Sequence, residues 1–204
     1  MTLYLLIFVA AFLIGSLPTG YLVAKAKGIN IRTIGSGNIG ATNVTRAMGK
    51  AWGAFVLIVD ALKGFIPVFL VKEYITSPSP ERMYVLMTTV GALAVAGHVF
   101  TPFLKFKGGK GIATTLGVLL AISPVLALIL ILIWIIAFLI TRISSVGALS
   151  SALLMPVIVL FIFHKPILNI MIGFSIFMTI FIFFTHRENI KRLYRGEEKG
   201  FKKQ

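Results

Sequence analysis

The sequence contains no cysteine and only six acidic residues among 204. The first absence excludes disulfides, thiolate zinc sites and cysteine nucleophiles. The second argues against a metal centre, because Asp60 is the sole aspartate and the three histidines, His98, His164 and His186, lie far apart in the chain. No cofactor or metal is therefore expected. A positive leader region and a small-x-small cleavage site are also missing before Lys25. The apolar N-terminus from Leu3 to Gly15 is read as a retained first helix rather than a signal peptide. Internal repeats and low-complexity segments are absent as well.

What is present is apolar and basic. Hydrophobic residues make up 58% of the chain, and the 20 Lys and Arg give a net charge of +14. A water-soluble domain of this length could not hide so much apolar side chain. The expectation is one membrane-embedded domain spanning residues 1–204. The positive balance suggests anionic partners, either phosphate-bearing substrates or lipid headgroups. It does not suggest nucleic acid, because the basic residues sit in short loops between apolar runs.

Those runs predict helices at about Leu3–Val23, Ala51–Val71, Met83–Phe103, Val146–Phe163 and Ile167–Thr185, and an apolar stretch over Ile112–Ile140 interrupted by Ser123-Pro124. Read as one span, that stretch gives six crossings. Read as two, it gives seven. Loop charge decides for seven, with the N-terminus outside and the C-terminus cytoplasmic. That arrangement puts 16 Lys and Arg inside and leaves only Lys72, Arg82 and Lys165 outside. From Ile112 to Ser123 there are too few residues to cross a core of ~30 Å at ~1.5 Å per residue. The glycine-rich loop before Ile112 is therefore expected below the interface, where irregular backbone survives only in protein or around a cavity.

Four polar clusters fall on the predicted inner face: GSGNIGATNVTR (Gly35 to Arg46), KGGKGIATT (Lys107 to Thr115), RISSVG (Arg142 to Gly147) and HRENIKR (His186 to Arg192). GSGNIG matches the dinucleotide pattern in letters only, because that fingerprint needs a preceding strand. Its glycines let successive backbone N–H groups turn toward one anion. Ser36, Asn38, Thr42, Asn43 and Thr45 add neutral donors, and Arg46 adds a charged fork suited to phosphate. KGGKG is not a P-loop, since Gly111 follows Lys110. It does set Lys110 between glycines, just before a helix N-terminus that favours anions. Asp60 and Lys63, at i and i+3 within a span, are expected to form a structural ion pair. An interhelical hydrogen bond is the expected role of His98, and His164 reads as interfacial. His186, with Asn189 three residues on, reads as functional.

As a set and in this order, GSGNIGATNVTR, DALKG, the GH-to-KGGKG-to-AT segment and HREN resemble the acyl-phosphate:glycerol-3-phosphate acyltransferase family of bacterial membranes, known as PlsY. The resemblance covers essentially the whole chain. It departs in the third motif, where Val146-Gly147-Ala148 follows Ser145 in place of the commoner Leu-Ala-Ser. The resemblance implies an all-α integral membrane fold of seven helices in the bacterial inner membrane, with the active site on the cytoplasmic face. The implied reaction moves a fatty acyl group from acyl phosphate to the 1-hydroxyl of sn-glycerol 3-phosphate, giving lysophosphatidic acid and phosphate. The implied partners are both substrates, membrane lipid and an upstream enzyme that forms acyl phosphate.

By the same resemblance Ser36, Arg46, Lys110, His186 and Asn189 are catalytic. Gly37, Asn38, Gly40, Ala41, Thr42, Asn43, Gly108, Gly109 and Ser145 are expected around the substrate phosphates. The acceptor proton goes either to His186 or to the donor's own phosphate. The competing readings are a small anion transporter or phosphate-lipid flippase, which calls for midplane polar groups and repeated halves, and a membrane subunit that only binds.

Overall fold

Prolines and glycines set the helix boundaries. In the computed structural model, which describes residues 2–198 and Gly200, the chain is helical throughout, with no strand among the described residues. The α-helices are α1 (Thr2–Ser16), α2 (Thr19–Ala26), α3 (Ala41–Met48), α4 (Lys50–Tyr74), α5 (Pro80–Val99), α6 (Ile112–Ile122), α7 (Pro124–Thr141), α8 (Ser144–Ile162), α9 (Ile167–Thr185) and α10 (Arg187–Tyr194). Six segments are long and apolar enough to cross a bilayer: Thr2–Ala26, Lys50–Tyr74, Pro80–Leu104, Pro124–Thr141, Ser144–Ile162 and Ile167–Thr185. Ile112–Ile122 is shorter.

The apolar stretch over Ile112–Ile140 does divide at Ser123. Pro124 cannot donate to α6. Ser123 Oγ instead accepts from Leu126 N at 3.3 Å and caps α7. Three features differ from the sequence reading. The first predicted helix is broken at Leu17-Pro18. The motif Gly35 to Arg46 is only half loop, because α3 starts at Ala41 behind Gly40. HRENIKR forms its own short amphipathic helix, α10.

The chain forms two compact units, Met1–Thr76 with Leu86–Ile122, and Ser77–Val85 with Ser123–Gln204. In the first, helices approach through glycine. A Cβ on Gly64 would lie 2.0 Å from Thr114 O, and one on Gly117 would lie 1.8 Å from Ala61 O, so α4 and α6 meet backbone to backbone. Gly15 and Gly97 bring α1 and α5 together in the same way. The break after α1 leaves carbonyls that a bilayer cannot hydrate. Thr101 Oγ1 donates to Ser16 O at 2.6 Å, and Lys63 Nζ donates to Leu17 O at 2.5 Å. A buried cluster of Ala24, Ile31, Ile39, Val44 and Val56 pins the segment before α3 onto α2 and α4.

In the second unit α7, α8 and α9 pack in sequence order. Hydroxyls link the helices: Ser151 Oγ donates to Leu130 O at 2.9 Å, and Thr179 Oγ1 to Ala152 O at 2.6 Å. Leu128, Phe161 and Ile180 are exposed on these spans, as lipid-facing positions should be.

Candidate active site

The first unit carries two glycine-rich loops. The first is organised around one side chain. Asn43, on the opening turn of α3, is buried. Its Oδ1 accepts from Ser36 N at 3.0 Å. Its Nδ2 donates to Ile34 O and Asn38 O at 2.9 Å each, and to Ile31 O at 3.2 Å. Gly35 and Gly37 turn at φ +59° and +68°, the left-handed region a Cβ disfavours. Asn38 Oδ1 then accepts from Gly40 N at 2.8 Å and fixes the entry to α3. The loop is thereby wound around Asn43. Ser36 is exposed, and Thr42 and the half-buried Arg46 share one face of α3 at i and i+4.

The second loop folds back on α5. Lys105 and Phe106 take left-handed backbone at φ 53° and 59°, which returns the chain. Gly108 N then donates to Val99 O at 2.9 Å, and Gly109 N to His98 O at 3.0 Å. Lys110 follows, half-buried, before Gly111 at φ +85° and the start of α6. Lys105 and Lys107 are exposed. Arg32 joins the two loops: its Nη2 donates to Lys107 O at 2.5 Å. The sequence reading missed Arg32, whose partner is 75 residues away. Ser36, Arg46 and Lys110 thus sit on elements of one unit. Its only carboxylates are Asp60, 2.5 Å from Lys63, and Glu73 near the far end of α4. The loops are left with a net positive field suited to an anionic ligand.

The second unit holds Ser145, His186 and Asn189. His186 is buried at the junction of α9 and α10. Its Nδ1 lies 2.9 Å from Ile182 O. A carbonyl only accepts, so Nδ1 carries a proton. A carbonyl at i−4 thus orients the ring. Glu188 faces away and pairs with Lys191 at 3.2 Å.

Ser145 and Asn189 converge on a residue the sequence reading did not single out. Glu198 Oε1 accepts from Ser145 Oγ at 2.8 Å and from Asn189 Nδ2 at 2.5 Å, while Oε2 accepts from Arg192 Nε at 2.7 Å. Burial pushes the Glu198 carboxyl up. The three hydrogen bonds and the Arg192 charge outweigh it and hold the group below the ordinary carboxylate value. An acidic pair, Glu197-Glu198, inside an otherwise basic tail was the available signal.

The family model for glycerol-3-phosphate acyltransferase matches residues 5–196. A protein of that name from Geotalea daltonii is 43% identical over 203 residues, covering all of both chains. Another from Aquifex aeolicus is 42% identical over 199 residues, 98% of each chain. Among solved structures, the integral membrane glycerol 3-phosphate acyltransferase PlsY in its glycerol 3-phosphate form is similar at TM-score 0.87 and 39% identity, over 98% of this chain and 96% of that one. Its lysophosphatidic acid form is similar at TM-score 0.85 and 39% identity, over 98% and 95%. With its motifs, its membrane-spanning helices and a match along nearly its whole length, this chain belongs to the glycerol-3-phosphate acyltransferase family.

Proposed function

We propose that this protein transfers a fatty acyl group from acyl phosphate to the 1-hydroxyl of sn-glycerol 3-phosphate, releasing lysophosphatidic acid and inorganic phosphate. The observation that carries this reading is the pair of glycine-rich basic loops that Arg32 ties together within one compact unit. Two phosphate-bearing substrates need two sets of anion donors, and the chain offers two. The solved relative's glycerol 3-phosphate and lysophosphatidic acid forms agree with an acceptor and a product of these kinds.

The chemistry asks little of a protein nucleophile. The acceptor hydroxyl oxygen attacks the acyl carbon of the mixed anhydride, the bond from that carbon to the phosphate oxygen breaks, and phosphate leaves with the electron pair and takes up the hydroxyl proton. Arg46 and Lys110 take the charge of glycerol phosphate. The backbone over residues 37–43, with Thr42, cradles the acyl phosphate. Asn43 contributes by shaping that backbone. Ser36 completes the polar set of the first unit, and the family's motifs add Ser145, His186 and Asn189 as proposed site residues of the second. The reaction belongs to one functional domain of residues 1–204, and an upstream enzyme class must supply the acyl phosphate.

Purified protein in detergent, given synthetic acyl phosphate, should release phosphate only when glycerol 3-phosphate is added. Arg46→Ala and Lys110→Ala should each lower kcat/KM about 10- to 100-fold, since a charge-assisted contact is worth ~1.5–3 kcal/mol. Lys105→Ala, at an exposed position, should stay within about threefold. Release that ignores the acceptor would overturn the reaction, and anion transport by liposomes without any release would favour the transporter reading.

The proposed topology has seven crossings, with α6 as the short seventh, an external N-terminus and the active face in the cytoplasm of a bacterial cell. Charge asymmetry between the loops supports it. Single cysteines at Ser79 and at the exposed Tyr194 should then label from opposite sides of intact cells. Labelling from one side would remove an odd number of crossings between them.

A further inference from the structure

The reaction described above makes no use of the most deeply placed ionisable group of residues in the chain. Asp60 and Lys63 on α4 and His98 on α5 are all buried. Asp60 Oδ1 lies 2.5 Å from Lys63 Nζ and 3.9 Å from His98 Nδ1. Lys63 is fixed from its other side by Leu17 O at the helix break. Despite the short approach, Asp60 Oδ1 finds no well-angled hydrogen bond. The interaction is therefore a charge contact, and its carboxylate faces the imidazole as well as the ammonium.

The imidazole has a second edge, and that edge abuts the glycine loop. A Cβ built on Gly109 would lie 2.0 Å from His98 Nε2 and 2.8 Å from Cε1. The backbone of Gly109 therefore lies directly on the ring. Gly108 approaches differently: its Cβ would lie 2.0 Å from His98 O and 2.6 Å from Val99 O, so main chain blocks it. From elsewhere Arg32 grips the same loop at Lys107 O. The residue that follows Gly109 is Lys110.

We infer that His98 is a positioning residue: its ring, aligned by the Asp60–Lys63 pair, is the wall that sets the register of Gly108-Gly109 and hence of Lys110. A shift of the loop by a fraction of the ring's thickness would move the lysine off its anion. Precise placement of a charged donor is where binding of a small phosphate ester is won or lost. This inference rests on the proposed role of Lys110 for its kinetic readout and on geometry alone for its structural one.

The two glycines supply the test. Gly109→Ala should raise KM for glycerol 3-phosphate by about tenfold or more, with KM for acyl phosphate changed less than about threefold. His98→Ala alone should produce a smaller rise, because the loop loses its wall but keeps its hydrogen bonds. In the double variant the new methyl occupies the space the ring vacated. His98→Ala/Gly109→Ala should therefore bind glycerol 3-phosphate better than Gly109→Ala by about fivefold, a coupling that independent sites do not show. Gly108→Ala should be equally impaired in either background, since backbone is its obstacle. His98→Asn, which keeps an amide beside Asp60, repeats the comparison should His98→Ala not fold.

Hydrogen exchange of the Gly108 and Gly109 amides reads the same cycle without turnover. Exchange should be faster in Gly109→Ala and slow again in the double variant. A double variant no better than Gly109→Ala in either readout, or equal rescue of Gly108→Ala, would overturn the inference. A wild type indifferent to glycerol 3-phosphate would sink the proposed function, and the exchange data would still decide the role of His98.

Discussion

Asn43→Ala should be among the most damaging single substitutions in this chain, lowering kcat/KM by ~100-fold or more. The side chain removed is the hub of the first loop. It accepts from Ser36 N and donates to the carbonyls of Ile31, Ile34 and Asn38. Alanine removes a partner from each of those four backbone groups; Ile31 O and Ile34 O keep a backbone N–H, from Ile34 and Gly37, so a cost of ~1–3 kcal/mol each falls on Ser36 N and Asn38 O where water cannot reach them. The bonds that remain, Gly37 N to Ile34 O and Gly40 N to Asn38 Oδ1, hold single turns and not the whole loop, which is expected to relax to a conformation in which the Gly35 and Gly37 amides and the Ser36 hydroxyl no longer converge. Asn43→Asp is the sharper probe. It keeps the acceptor for Ser36 N, loses the donors to three carbonyls, and sets a negative charge beneath an anion site. Activity should fall at least as far as in Asn43→Ala, with the loss concentrated in KM for the phosphate substrates. An Asn43→Asp variant close to wild type would show that the loop is held by something other than this side chain.

The parts of this architecture legible in the sequence are those governed by local rules. Pro124 announces the end of α6 because proline has no N–H to give. The glycines of GSGNIG and KGGKG announce close backbone approach, although only the folded chain tells which neighbour approaches. The i, i+3 spacing places Asp60 beside Lys63 on any helix. What stayed hidden depends on tertiary placement. Asn43 looked like one donor among several, because its partners are carbonyls that converge only once the turn at residues 31–38 has formed. Arg32 and Glu198 find their partners 75 and 53 residues away. The α3 and α10 helices were obscured by their polarity and shortness, since each has only eight residues, too few for an apolar face to stand out from the surrounding loop sequence. The orientation of His186 is local. Its Nδ1 reaches back one turn to Ile182 O, a carbonyl that also accepts from His186 N at 3.0 Å.

Glu198→Ala should rival Asn43→Ala, through stability as much as through turnover. Three donors, Ser145, Asn189 and Arg192, point at one carboxylate. Hydrogen bonds to a charged acceptor are worth ~1.5–3 kcal/mol each when well shielded. Arg192 keeps about a third of its side-chain exposure, so solvent screening reduces the sum to about 2–4 kcal/mol. For a chain of this size each kcal/mol corresponds to ~2–4 °C. A fall in Tm of roughly 5–15 °C is therefore expected, with Ser145 and Asn189 losing the anchor that orients them.

The pH dependence separates this role from a simple packing loss. The folded carboxyl lies below its ordinary value of 4.5. Its stabilisation is therefore fully present above about pH 4.5 and fades as pH falls through the lower folded value. Wild type should lose Tm on acidification below that point. Glu198→Gln keeps the shape and one acceptor but has no proton to gain, so it should be less stable than wild type at pH 7, with the gap narrowing as pH falls below about 4.5. A thermal melt of both proteins across that range decides the matter. Parallel curves would mean that the Glu198 carboxylate contributes no charge-dependent stability, and that Ser145 and Asn189 are held in place by other means.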